Sequence, residues 1–324
     1  MPGEFDLIAT HFKRPVRRAR LGVGDDCALI SVGEGMELAI STDMLVEGTH
    51  FLEGTDARRL GHKTLAVNLS DLAAMGATPR YATLALALPR VDESWLADFA
   101  SGFFALADTH GVELIGGDTT RGRLNLCVTV IGEVPAGGAV RRSGARLDDD
   151  IWVSGTLGDA ALGLAHLQRR VVLGADDAAQ AVARLEAPTP RVALGIALRD
   201  IASAMLDLSD GLAGDLRHLA EASGLDAWVD AEALPVEAPL ARMALSERLR
   251  FAAGGGDDYE LCFTTAPAAS GEVAAAALAC GVPLTKIGKM TARRGAAAAI
   301  FMADALRNPC LTTVSGYDHF GAGA

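Results

Sequence analysis

Short runs rich in Val, Ile, Leu and Thr alternate along this chain with longer helical stripes, and Gly, Pro or Asp bounds almost every run. Such runs read as strands, and apolar residues three and four apart read as one helix face. The strand candidates are 37–42, 80–88, 112–115, 124–134, 151–154, 259–265 and 297–301. The helix candidates are 57–75, 93–109, 159–169, 190–204, 212–222 and 271–280. Two stripes show the logic. In the second helix Trp95, Phe99, Phe103 and Leu106 lie along one face, Asp92 can cap the start and Gly111 can stop the end. In the fourth, Thr189 is the expected cap and Pro190 the first helical residue. Strands and helices mix without a regular βαβ period, which predicts an α/β fold of mixed, α+β-like sheets.

A chain of 324 residues has room for two domains. The stretch 135–150 holds glycines, arginines and a triple Asp without apolar periodicity, and reads as an exposed, charged linker. The expected domains are therefore 1–140 and 141–324. Half of the residues are hydrophobic and 22% are charged, so the chain can bury a core. A formal charge of −12 argues against a nucleic-acid binder. The longest apolar runs, such as 81–88, fall far short of the ~18 residues a membrane span needs. The basic stretch 11–20 runs into Gly-Val-Gly-Asp-Asp and not into an apolar core, which argues against a secretory signal. Five scattered cysteines with no Cys-x-x-Cys pair point to a reducing cytoplasm.

Carboxylates recur at turns, each beside glycine or a small hydroxyl residue: Asp25-Asp26, Ser41-Thr42-Asp43, Ser70-Asp71, Gly117-Asp118, Asp207 to Gly211 and Gly256-Asp257-Asp258. Any one of them has an ordinary reading as a turn residue or a helix cap, and Asp210 could simply cap the helix at Leu212. Asp71 differs, because it lies on a helix that is apolar over most of its surface, where an unpaired charge is costly. Lys63, two turns away, is too distant to pair directly, and a metal ion is a suitable partner. Hard oxygen ligands without a His or Cys cluster select Mg²⁺ or Ca²⁺. No EF-hand, P-loop, dinucleotide fingerprint or nucleophile-elbow pattern is present.

Ten segments occur in one order: GEFDLI, GVGDDCAL, STDMLVEGTHF, AVNLSDLAAMGA, LIGGDTTRG, RRSGAR, VSGTLGDAALGL, LDLSDGL, GGDDYELCFT and GYDHF. Together they resemble the thiamine-monophosphate kinases, of the superfamily that includes aminoimidazole ribonucleotide synthetase and selenophosphate synthetase. The resemblance implies two α/β domains: 1–140, which binds ATP and Mg²⁺ and pairs in a homodimer, and 141–324, which completes the nucleotide and substrate site. It implies transfer of the ATP γ-phosphoryl group to thiamine monophosphate with several Mg²⁺ ions. The alternative is another ATP-dependent enzyme of the superfamily. Carried over by motif, Asp26, Ser41, Thr42, Asp43, Asp71, Asp118, Asp207 and Asp210 are implied as metal ligands. Gly117, Asp118, Arg142 and Ser209 are implied as nucleotide contacts, and His50, Asp257 and Tyr317 as contacts to the phosphate acceptor. The family motif usually reads Gly-Gly-Glu-Asp-Tyr-Glu, whereas Asp257 here is one methylene shorter. No acid or base catalyst is implied.

Overall fold

The computed structural model describes residues 3–303 and the backbone of 309–311. Two compact units divide the chain: Met1–Leu72 with Ala77–Gly138, and Ala73–Gly76 with Ala139–Ala324. The fold is α/β, with one mixed sheet in each unit.

The first unit opens with the helical turn α1 (Glu4–Leu7). It then contains β1 (Met36–Val46), α2 (Ala57–Ala74), β2 (Thr78–Leu88), α3 (Glu93–His110), β3 (Glu113–Arg121) and β4 (Asn125–Pro135). The strands lie in the order β1-β4-β2-β3, antiparallel except for the β2–β3 pair. Period-two burial sets the sheet: Leu126, Val128, Val130, Gly132 and Val134 are buried while the residues that alternate with them are half-exposed. The α3 reading holds in detail. Asp92 accepts the Trp95 N–H at 3.1 Å, and Gly111 closes the helix in the left-handed region at φ 64°. Phe99 and Phe103 are fully buried, each contributing about 1.5–3 kcal/mol. Helix α2 crosses α3 so closely that a Cβ on Gly61 would stand 2.0 Å from the Phe99 carbonyl oxygen.

The second unit holds β5 (Asp150–Ser154), α4 (Asp159–Leu167), α5 (Ala175–Glu186), α6 (Val192–Leu198), β6 (Ala204–Asp207), α7 (Leu212–Ser223) and β7 (Leu225–Asp230). After these come α8 (Ala238–Ala241), α9 (Leu245–Ala252), β8 (Leu261–Thr265), α10 (Ser270–Cys280), β9 (Leu284–Ala292), β10 (Ile300–Ala303) and β11 (Pro309–Leu311). The seven strands run β11-β10-β7-β9-β5-β8-β6. Ile151, Val153, Leu206, Leu216, Val229 and Ile287 lie in one core between this sheet and its helices.

Two expectations are corrected. The helix expected over 190–204 starts two residues later, with Arg191 at its N-cap, and ends at Leu198. Ala204 instead opens β6, because its backbone joins the β8 ladder. The stretch 135–150 is not a solvated linker throughout. Val140 and Ala145 are buried, the Asp149 carboxylate accepts the Ser203 hydroxyl at 2.6 Å, and buried Asp150 faces Lys286 at 3.4 Å. Among the described residues no helix is long and apolar enough to cross a membrane.

Candidate active site

In the first unit, strand alternation decides which side chains can meet. Ser41 and Asp43 lie on one face of β1 and Thr42 on the other. The Ser41 hydroxyl donates to the Asp71 carboxylate of α2, and the Asp43 N–H donates to Asn68 Oδ1 at 3.0 Å. Ser41, Asp43 and Asp71 are thus brought together where α2 rests on the edge strand. Thr42 is not, since its hydroxyl pairs with that of Thr129 at 2.8 Å on the opposite face. Buried Lys63 sends its ammonium to the His50 carbonyl at 3.3 Å. The Val46 N–H donates to His50 Nδ1 at 3.0 Å, so the neutral ring carries its proton on Nε2.

Asp26 stands exposed on the loop 21–29, where its own N–H donates to Asp25 Oδ1 at 2.8 Å. Asp118 lies in β3 opposite Ala85, and its carboxylate accepts the Thr119 N–H at 2.9 Å. Gly117 before it has φ 153°, and a Cβ there would fall 1.9 Å from the Leu84 oxygen, so only glycine fits.

In the second unit, two acidic loops lie backbone on backbone. Asp207 is the buried last residue of β6. The Leu208 N–H donates to the Glu260 carbonyl, the Tyr259 N–H to the Leu208 carbonyl and the Asp257 N–H to the Ser209 carbonyl, each at 2.8 Å. A Cβ on Gly256 would stand 2.4 Å from the Ser209 oxygen. Asp257 and Tyr259 both take left-handed backbone, at φ 69° and 50°, and the Tyr259 hydroxyl donates to Asp257 Oδ1 at 3.2 Å. Tyr259 therefore precedes β8 instead of opening it.

Asp210 does not cap α7. Gly211 is the N-cap residue, and the Asp210 N–H itself donates to Asp215 Oδ2 at 3.0 Å. Burial, with Asp210 alongside, pushes the Asp215 carboxyl up to about 7, while the charge of Arg142 opposes that rise. Arg142, Asp210 and Asp215 thus share one electrostatic neighbourhood.

Behind these loops stands a cluster of which the sequence singled out only Asp258. Fully buried Glu260 accepts from Ser154 Oγ at 2.6 Å, Arg184 Nη2 at 2.7 Å and Arg191 Nε at 2.6 Å. Beside it Asp258 accepts the Gly158 N–H at 2.7 Å. Burial pushes the Asp258 carboxyl well above the carboxylate range. The Gly158 N–H lowers it, Asp159 raises it and Arg184 lowers it. The sequence signal for this cluster was the Gly256-Asp257-Asp258 turn; Glu260 within the expected strand 259–265 carried none. Tyr317 lies outside the described residues. Among the described residues no group of three or more His, Cys, Asp or Glu is arranged to hold a metal ion. The donors that do meet, Ser41 and Asp71 with Asp43 on the same face, are all oxygen, a chemistry that fits Mg²⁺.

Residues 24–134 match the AIR synthase related protein N-terminal domain, and residues 148–300 match the corresponding C-terminal domain. The thiamine-monophosphate kinase of Salmonella typhimurium is 50% identical, covering 98% of each chain. The chain belongs to the thiamine-monophosphate kinase family. A solved family structure from Stenotrophomonas maltophilia superposes with a TM-score of 0.81 at 47% identity, covering 87% of this chain and 91% of that one. AaThiL complexed with AMPPCP and TMP superposes at 0.77 and 29% identity, covering 90% and 89%. The two matched ranges of this family member take in the acidic loops of both units.

Proposed function

We propose that this protein transfers the γ-phosphoryl group of ATP to thiamine monophosphate, forming thiamine diphosphate and ADP. The observation that carries the reading is 50% identity to a thiamine-monophosphate kinase over nearly the whole of both chains. The AaThiL structure complexed with AMPPCP and TMP supports a site for a nucleotide and a phosphorylated acceptor.

The acceptor phosphate has a second pKa near ~6 and is largely dianionic at neutral pH. It needs no general base to become a nucleophile, which accounts for a site built from carboxylates. The obstacle is repulsion between two polyanions. Asp26, Ser41, Asp43, Asp71, Asp118, Asp207 and Asp210 would hold Mg²⁺ ions, which supply charge neutralisation for the transferred group. Thr42, whose hydroxyl pairs with that of Thr129, belongs to the same proposed ligand set. Gly117, Asp118, Arg142 and Ser209 serve the nucleotide, with Gly117 letting the backbone come close. His50 and Asp257, with Tyr317, serve the acceptor. Transfer is direct and in line, without a phosphoenzyme.

Residues 1–140 carry the ATP, Mg²⁺ and pairing functions and 141–324 the remainder of the site. A homodimer is supported by the sheet of the first unit. Ile40 and Met44 of edge strand β1 are 61% and 51% exposed on the face that also bears Thr42 and, by register, Cys127 and Thr129. Scattered cysteines support a cytoplasmic location.

A coupled ADP-release assay tests the reading. Thiamine monophosphate should turn over, and free thiamine, whose hydroxyl lacks a base to activate it, should react at least about 100-fold more slowly. Equal rates with both acceptors would overturn the substrate and the base-free mechanism together.

A further inference from the structure

The first β3 residue, Glu113, sits half-buried and its carboxylate is used entirely on backbone. It accepts the N–H groups of three consecutive residues: Arg17 at 2.8 Å, Arg18 at 2.9 Å and Ala19 at 3.1 Å. These partners lie 94–96 residues earlier in the chain. Burial alone would raise this carboxyl, but the three N–H donors and the Arg18 charge hold it below the usual range.

The segment so gripped is the stem of the loop carrying Asp25 and Asp26. Immediately after it, the Arg20 N–H donates to the Leu29 carbonyl at 2.7 Å, and Leu21 and Leu29 bridge each other. Ala19 is buried with Tyr81 and Ile115, and Val16, Ala28 and Ile30 pack against them from both sides of the loop. Two further clasps hold the same stem, one upstream at Arg14 and one within it at Arg18. Arg14 pairs with Asp108 at 3.1 Å over the Phe104 ring, and the Arg18 guanidinium donates to the Gly111 carbonyl at 2.5 Å. Downstream in the same strand, four and five residues from Glu113, stand Gly117 and Asp118. One strand therefore carries one acidic residue of the site and grips the root of the loop that carries another.

We propose that Glu113 is a positioning residue for Asp26: by binding the Arg17–Ala19 backbone it fixes the loop stem and presents the Asp25–Asp26 turn for magnesium. The inference rests on the proposed role of Asp26 as a metal ligand. Arg17, Arg18 and Arg20 make it testable, because trypsin can cut there only when the stem opens.

The full-length protein and its E113Q and E113D variants are compared. E113Q should raise the magnesium concentration for half-maximal rate on the order of 10-fold, with kcat at saturating magnesium within a few-fold. Trypsin cleavage after Arg17, Arg18 and Arg20 should accelerate in parallel, and E113D, which keeps the charge, should recover part of both losses. D26N tests the underlying reading separately. If D26N leaves the magnesium dependence unchanged, the metal role fails, while the trypsin result still decides whether Glu113 holds the stem. If D26N shifts the dependence and E113Q does not, the positioning role is overturned. It is also overturned if E113Q abolishes the cooperative melt of the whole chain, since a grip on one stem should leave the remaining fold standing.

Discussion

Asp71 of the first unit leans on the hydroxyl of Ser41, one side chain on another, at the junction of a helix and an edge strand. The loop from Asp207 to Asp210 in the second unit is held differently. Main-chain bonds lace it to the loop that bears Asp257, glycine lets the two approach, and Glu260 locks the base of that pair to two arginines. The difference separates function from folding. Where side chains hold side chains, a charge can be removed while the backbone keeps its course. Where a buried ion cluster holds the backbone, the residues that shape the loop also support the core.

The largest effect that could break this comparison is on stability. Glu260→Ala removes the carboxylate from two arginines whose side chains are only 20% and 16% exposed. Deleting one partner of such a cluster leaves uncompensated buried charge and costs about 3–5 kcal/mol. Urea denaturation should register that loss whether or not ligands are present. A loss below about 1 kcal/mol would mean that the arginines find other partners and that the lacing alone holds the loops.

Asp71→Asn should show the opposite pattern. The amide oxygen can still accept from Ser41, so stability should stay within about 1 kcal/mol of the parent protein. Activity should fall on the order of 100-fold, because one metal-directed charge has gone. Steady-state rates at limiting magnesium, read beside a melt, decide it. Activity within a few-fold of the parent would reduce Asp71 to a hydrogen-bonded helix residue.

What could be read in the sequence follows how far apart the partners lie. The cap, stripe and stop of α3 all fall within 92–111, and each is seen in the structure. The acidic turns were visible because each is a local pattern. Asp149 and Asp150 were misjudged because their partners, Ser203 and Lys286, are 54 and 136 residues away. The Glu260 cluster escaped for the same reason: Arg191 and Arg184 lie 69 and 76 residues earlier, Arg191 at the N-cap of α6 and Arg184 in α5, a helix absent from the six expected. The short strand β6 was not foreseen, and its first residue, Ala204, fell in the expected helix 190–204, because four residues carry no period of their own.

The smallest expected effect separates the units by the sign of their response to pH. Buried Asp258 has its carboxyl raised well above 3.8 in the native protein. Between that ordinary value and the native one, the folded chain holds a proton that the unfolded chain has released. Rising pH therefore costs stability across this window, and the residue's contribution is full only below it. Asp258→Asn cannot titrate and keeps an oxygen for the Gly158 N–H. Melts at about pH 5 and about pH 8 should show the stability difference moving in favour of Asp258→Asn as pH rises. Glu113 in the first unit is held below its ordinary value, so its contribution is present at neutral pH and fades as pH falls. Glu113→Gln should thus lose most, relative to the parent protein, at the pH where Asp258→Asn gains most. Parallel stability curves for Asp258→Asn and the parent across that range would mean that Asp258 is ionised in the fold, balanced by Arg184, and that the buried cluster is a fully charged one.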